Sequence, residues 1–539
     1  MYQPAPSTAF VPGKKTRILP ENVGDVTPGQ TVSIHVPSYV EFVDPRGTEL
    51  VFTAEMVGGR GMFVPDPDAA GHAFFRTLTV RSGDGSCQLE FLDDYNCSMA
   101  ALRFYSRGGA EARRQMFEGE QPSTSRANGS LYYGKDTANY SSATASASAV
   151  PVTSSTRSPK IAIRLGSGLL SGKQIIPVGL MNGLKADLDV EVAGRALRQL
   201  SLAGSESQVV MKPAAPIVVG TSAVAKGADF SVATSYAATT DGAKANPPVV
   251  TGDLLYIKDA DGGNEEVLGV VKSIFYDTDK LTCVVSWQGA SDGYAHVRAV
   301  DALIYWKPAD RSRALTYNTG PATTATLPAA SFKLSDISLD CLGAEPPQGY
   351  ADGMAKAAQT EKGITFDLQT FTVYRQNIAA IQGTAHCLIP AMETRARTVI
   401  VQPLDVATTR DMSAASFRGI LDDIQGYQFI FGTKQSPSAE VDLTRLSMSP
   451  AKSSPIHLTE NEKALVSIGQ PVTSFCQSQQ QLLISRAFAK YGNVSDLTTE
   501  ALSLRARYGS AASKAKIFNC MVWHLRAVNI SRSGVSAMI

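Results

Sequence analysis

Over residues 184–192 the chain alternates without a slip. Leu184, Ala186, Leu188, Val190 and Val192 are apolar, and Lys185, Asp187, Asp189 and Glu191 between them are all charged. Successive side chains of a strand point to opposite faces, so this segment has one greasy face and one charged face. An antiparallel sheet wetted on one side accommodates that pattern, whereas a parallel strand is covered on both faces and reads as a continuous apolar run. The same period of two returns at 31–36, at 332–341 and at Ile364, Phe366 and Leu368. The slip at Ser335 and Asp336 predicts a bulge. Charged residues make up 18% of the chain against a usual ~25%, with Gly, Ser, Thr and Ala between short apolar runs, which favours an all-β protein.

At 539 residues the chain exceeds one hydrophobic core and predicts about three units. Residues 1–24 are Pro-rich, carry Lys14, Lys15 and Arg17, and read as an N-terminal arm. Strands are predicted at 31–36, 39–43, 50–57 after the turn Asp44-Pro-Arg-Gly47, 74–80 and 87–92. Tyr95, Met99 and Leu102, behind the capping candidates Asp93 and Asp94, predict a helix. Residues 121–158 are too poor in large apolar groups to offset their ordering entropy and read as a flexible loop. Residues 204–328 hold a cluster of their own, with strands at 254–257, 267–275, 281–287 and 297–306. In the last third, strands are predicted at 364–368, 371–374, 398–402 and 427–431, and Thr459-Glu-Asn-Glu462 reads as a capping box opening a helix through Ala464 and Leu465. A second helix is predicted at 479–491, closed by Gly492, and a final buried strand at 517–530.

Several motifs suggest chemistry and lack its context. Gly289-Ala-Ser-Asp-Gly293, with His296 behind it, matches a nucleophile elbow around Ser291, but a strand follows where the elbow needs a helix. Asp259-Ala-Asp-Gly-Gly-Asn-Glu-Glu266 lacks the spacing of a calcium loop. His386 beside Cys387 and His524 beside Trp523 are isolated, with no paired-histidine spacing for a metal. Gly166, Gly168 and Gly172 imitate a phosphate loop without its Gly-Lys-Ser/Thr ending, since Lys173 precedes Gln174. Arg103, Arg107, Arg113 and Arg114 read as a solvated helix flank. Asn128, Asn139, Asn493 and Asn529 begin chance glycosylation triplets. The seven scattered cysteines read as reduced core residues of a product folded inside a cell. The start has no signal-peptide pattern, and no apolar run is long enough to span a membrane. A net charge of +1 argues against a dedicated nucleic-acid glove. These readings predict no enzyme, no cofactor and no metal.

Three stretches carry a resemblance. They are Ile161-Ala-Ile-Arg-Leu-Gly-Ser-Gly-Leu-Leu-Ser-Gly with the Ile-Pro-Val-Gly-Leu segment behind it; Gly426-Tyr-Gln-Phe-Ile-Phe-Gly-Thr-Lys-Gln-Ser-Pro437; and the opening order Leu-Pro-Glu-Asn, Pro-Gly-Gln-Thr, strand, Asp-Pro. Over about 25–200 and 330–539 the chain resembles double jelly-roll major capsid proteins of tailless double-stranded DNA viruses, of the virophage and polinton-like type. The resemblance implies two jelly-roll β-sandwiches in tandem with a few short helices: a first roll over 25–203, an inserted β domain over 204–328 forming a surface tower, a return and linker over 329–360, and a second roll over 361–539. It implies a structural capsid subunit in the virion, self-associating as homotrimers and then as a capsomer lattice. Its further partners would be penton and minor capsid proteins, with Lys14, Lys15 and Arg17 on an arm reaching an internal membrane or the genome. The rival expectation is a multi-domain β-sandwich glycan-binding or attachment protein.

Overall fold

The computed structural model describes residues 10–538 apart from 23, 58–62, 106–116, 119–159, 173, 200–210, 220–227, 238–248, 250–251, 261–264, 278, 288–295, 299, 308–309, 311–314, 321–322, 328, 348, 381–382, 413, 415, 444–454, 471–481, 489–493 and 510–513. The expected loop over 121–158 lies outside the described residues.

Eight strands build the first half: β1 (Val11–Ile18), β2 (Thr31–Val36), β3 (Val43–Val57), β4 (Phe75–Ser82), β5 (Gln88–Leu92), β6 (Lys160–Ile163), β7 (Leu184–Val190) and β8 (Ser331–Glu345). They pair antiparallel in two sheets ordered β1-β8-β3-β6 and β2-β7-β4-β5. Eight more build the second: β9 (Ile364–Ile378), β10 (Thr384–Ile389), β11 (Ala396–Asp405), β12 (Ile424–Phe431), β13 (Lys434–Asp442), β14 (Ile484–Ala487), β15 (Leu502–Tyr508) and β16 (Lys516–Ser531). Their sheets run β9-β16-β11-β14 and β10-β15-β12-β13, with a terminal strand Gly534–Met538 added on β16. Adding eight to each label of the first half yields the second, so one strand order is used twice. Eight antiparallel strands in two facing sheets with this winding form a jelly roll, and the chain is an all-β tandem of two.

The alternating strand β7 sits centrally between β2 and β4. Leu184, Ala186, Leu188 and Val190 are buried in a core where Phe52 meets Phe75 edge-on at 5.4 Å and Phe74 meets Phe332 at 4.9 Å. The charged face is bonded across the sheet: Ser33 Oγ donates to Asp187 and Thr31 Oγ1 to Asp189, both at 2.6 Å, and Thr77 Oγ1 also donates to Asp189. The second roll closes around Val399, Val401, Tyr427, Phe429, Leu504 and Val522. Helix α1 (Tyr95–Tyr105) follows β5, α2 (Tyr350–Ala358) links the rolls, and α3 (Pro455–Ser467) follows β13, the position equivalent to that of α1.

Between β7 and β8 the chain builds a third body. Its five-stranded sheet orders Asp229–Ala237, Lys280–Trp287, Glu266–Asp277, Leu254–Lys258 and Leu303–Trp306. Trp287, Trp306, Ile257, Leu268, Ile274 and Ile304 form a cluster confined to this body.

Because all pairings are antiparallel, connections after odd-numbered strands leave one end of each roll. Residues 93–159, 191–330, 406–423 and 443–483 all follow odd-numbered strands, whereas at the opposite end 37–42, 83–87, 390–395 and 432–433 are short and the longest connections are 164–183 and 346–363.

Several expectations need correction. Residues 11–18 are not a free arm: they form β1, an edge strand paired with β8 from Val11↔Glu345 to Ile18↔Leu339. Only Ile18 of that strand is buried, so backbone pairing rather than alternation holds it, and the residues before 10 lie outside the description. The turn at Asp44-Pro-Arg-Gly47 does not end a strand. Residues 45–48 swell out of β3 opposite Cys341, tied by Arg46, whose Nη2 donates to Asp44 Oδ2 at 2.7 Å. The helix expected over 479–491 is instead strand β14 within its described part, pairing with β11. The capping box does not form, since α3 starts at Pro455 and Thr459 Oγ1 donates back to Pro455 O at 2.7 Å. The bulge at Ser335 and Asp336 is present, with a register shift there and Asp336 at φ 51°.

Candidate functional site

The residues that do something beyond closing each roll converge on the seam between the rolls. Strand β5, an edge of the first roll, lies against β9, an edge of the second. Two bare sheet edges are aggregation hazards unless covered; here each covers the other. Arg526 on β16 donates from Nη1 to Leu89 O at 2.9 Å. The apolar cluster of the first roll continues into the outer face of the second through Ile364, Leu368, Phe371, Ile400, Met521 and Trp523.

Charge stitches the seam where apolar contact thins. Asp94 is 2% exposed and accepts from Arg195 Nη1 at 2.8 Å and from Arg375 of the second roll. Arg195 also meets Glu191 at 3.2 Å and lies over the Phe417 ring at 5.1 Å. Arg418 grips Asp68 with two bonds of 3.1 Å, and Ser416 N–H donates to Asp66 Oδ2 at 3.3 Å. A small second cluster of Ala69, Ala73, Cys97, Ala100, Leu404 and Phe417 packs beside them, where Cys97 Sγ donates to Gln402 Oε1 at 2.9 Å. Burial, reinforced by the neighbouring Asp68 charge, pushes Asp66 from 3.8 up to about 7, and burial pushes the Cys97 thiol up to about 12. Asp68 and Asp94 follow odd-numbered strands of the first roll, and their partners Arg418 and Arg375 lie after or late in odd-numbered strands of the second. The two elaborated ends therefore meet, and the rolls stand side by side pointing the same way.

The glycine turn that imitates a phosphate loop is a real anion nest with an internal occupant. Gly168 N–H donates to Glu90 Oε1 at 2.8 Å and Leu169 N–H to Glu90 Oε2 at 3.1 Å. Burial raises the Glu90 pKa. A Cβ on Gly168 would lie 1.9 Å from Gln369 O of the second roll, so glycine is required there by close approach of the two rolls rather than by a ligand.

Of the expected site residues, Lys14, Lys15 and Arg17 lie on β1. Arg17 Nε donates to Asp340 at 3.1 Å, and Lys15 lies 3.7 Å from Asp340 and 3.9 Å from Glu49. They flank an edge strand, a placement that discourages edge-to-edge pairing. Ser291 and its glycines lie outside the described residues, as do Arg107, Arg113, Arg114, Asn128, Asn139 and Asn493. The segment from His296 is a strand pairing with Ile217–Val219. Glu265 is bound by Lys307 and Tyr305, which hold its carboxyl low. Arg103 pairs with Glu118, and Asn529 Nδ2 donates to Lys362 O at 3.1 Å. His386 is exposed on β10 while Cys387 is buried, and His524 Nδ1 sits 3.3 Å from Val522 O. Among the described residues the six cysteines are free thiols, no His/Cys/Asp/Glu group could hold a metal, and no helix is long and apolar enough to cross a membrane.

No family model matches the chain, and no curated protein sequence matches it. Among solved structures it is similar to the Faustovirus major capsid protein, at 8% identity over 98% of this chain and 92% of that one, with a TM-score of 0.47. It is similar to a chain of the Sputnik virophage, at 10% identity over 98% and 89%, TM-score 0.45. It is also similar to the mavirus major capsid protein, at 8% identity over 100% and 92%, TM-score 0.33. Major capsid proteins are also the class that the sequence resembles.

Proposed function

We propose that this chain is a structural, non-catalytic major capsid protein of a double-stranded DNA virus, forming trimeric capsomers of pseudo-hexagonal outline that tile an icosahedral shell. The observation that carries this reading is the repeated strand order, with both rolls locked side by side in one orientation. Each chain then offers two similar but unlike flanks, so three chains closing head to tail about a three-fold axis present six similar units around a ring. Hexagonal blocks tile a closed shell, and the aligned elaborated ends give every block an outer and an inner face. In this reading the body between β7 and β8 is the surface tower, because long additions are tolerated where they leave packed sheets undisturbed. The pairing of Lys15 and Arg17 with Asp340 shifts any contact with membrane or genome away from those two cations. Penton and minor capsid proteins would meet the trimer flanks. Electron micrographs of the expressed protein test the proposal: hexagonal plates or lattices are expected, and a chain that stays single and is retained by glycans is the attachment protein instead.

A further inference from the structure

The seam shows how one roll docks on another. The first roll meets the second with the end of its sandwich where the end strands β5 and β6 lie, together with α1. Leu89 O on β5 accepts from Arg526 at 2.9 Å, Gly168 after β6 abuts Gln369 of β9, and Cys97 and Ala100 of α1 pack with Leu404 and Phe417. The second roll answers with its end strand β9 and the outer face of the sheet β9-β16-β11-β14, where Phe371, Ile400, Met521 and Trp523 join the first roll's cluster. A chain of two rolls has one such seam, so one surface of each kind is left over. Because the strand order is used twice, the leftovers can be named. The counterpart of β5, β6 and α1 is the end formed by β13, β14 and α3, which packs on β14 and touches β13. The counterpart of β9 and its sheet is β1 and the outer face of β1-β8-β3-β6. The two outer faces differ in kind. That of the second roll is apolar, whereas that of the first is charged, with Arg17 3.1 Å and Lys15 3.7 Å from Asp340 and Lys333 3.2 Å from Glu55. A contact between separately folded chains is more polar than a core cut in two, because each face stands in water before they meet. Both leftover surfaces also bear exposed large apolar side chains, Val11 on β1 and Val57 on β3, and Ile456 and Val466 on α3.

We infer that these two surfaces bind each other in successive copies of the chain, the end formed by β13, β14 and α3 of one copy seating on β1 and the charged sheet face of the next. The inference rests on the capsomer reading and fixes which flanks meet. A contact of β13 with β1 is heterologous and can close into a ring, whereas β1 against β1 would stop at a dimer. Amine-reactive cross-linking of the full chain tests it, with covalent dimers separated on a denaturing gel and their joined peptides identified by mass. Pairs of Lys14 or Lys15 with Lys434 or Lys463 are expected in the dimer band and not in the monomer band. Val57→Asp and Val466→Asp, each of which puts a carboxylate into the contact, should weaken self-association about tenfold or more with circular dichroism unchanged. Leu388→Asp, at a residue as exposed as Val466 but on β10 outside both surfaces, should leave self-association as it was. A trimer whose dimer band lacks those lysine pairs, or which Leu388→Asp dissociates as readily as Val466→Asp, overturns the inference and leaves the capsomer reading standing. A chain that stays single overturns both.

Discussion

The seam between the two rolls and the joint to the inserted body are both places where one chain connects two cores, and they are built differently. At the seam the apolar cluster runs through from one roll to the other and buried ion pairs flank it. The inserted body keeps its cluster to itself, within residues 211–306. The second roll has a core of its own but also lends side chains to the apolar cluster of the first, so unfolding of either strips packing from the other, whereas a body with only a private cluster can unfold alone. The rolls are therefore one mechanical block and the insertion is a passenger on it.

The largest expected effect breaks that contrast directly. Phe371 is 2% exposed and packs against Trp523 in a tilted ring pair at 4.8 Å within the seam. Phe371→Ala should cost about 3–5 kcal/mol and lower one calorimetric transition common to both rolls. Trp287→Ala in the insertion should cost a similar amount but move only a separate transition, which vanishes when residues 204–328 are replaced by a short Gly/Ser bridge. Separate melting of the two rolls would refute the shared block.

Next in size is Asp94→Ala, which leaves Arg195 and Arg375 facing each other without their common carboxylate. Breaking a buried pair in this way costs about 3–5 kcal/mol, and denaturant midpoints should fall accordingly. The matching exposed pair, Lys434 with Glu500 at 3.3 Å, should give less than about 1 kcal/mol when broken.

Acid should act oppositely on the seam and on the second roll. The folded seam raises Asp66 from 3.8 to about 7, so the native state holds the extra proton between those values. The stability it contributes is full below about pH 4, falls as pH rises towards 7, and is flat beyond. Inside the second roll His457, bonded to Tyr427 Oη at 3.1 Å and Asn461 Nδ2 at 3.2 Å, is lowered by burial from 6.5 to about 4. Its contribution is full above pH 6.5 and is lost as pH falls to 4. Asp66→Asn should remove the first slope and leave the second, measured as unfolding free energy between pH 4 and 8. The smallest effect belongs to the edge strand: alanine at Lys15 and Arg17 together should change stability by less than about 1 kcal/mol.

What could be read from the sequence follows from how one-sided each element's environment is. Strand β7 was legible because one face is core and the other is charged, and β16 because most of its 16 residues are buried. Strand β1 was not, because an edge strand with a single buried residue has no alternation to show, and its lysines suggested a tail. Strand β14 spans only Ile484–Ala487, too short for its period to outvote the helix formers around it. The seam was the main omission. In sequence Asp93 and Asp94 look like helix caps because their arginine partners lie far along the chain, and Gly168 looks like part of a loop because the backbone it abuts belongs to the other roll. The signal present is a set of acidic residues that the structure buries, Asp66, Asp68, Asp94 and Glu191, the first three with no Lys or Arg within four positions along the chain.

Light scattering of the purified chain at micromolar concentration and neutral pH tests the central claim most directly. A stable mass three times that of the chain, unchanged on dilution, is the predicted result, because obligate heterologous contacts of this kind bury more than about 2,000 Å². A monomer under those conditions would contradict it.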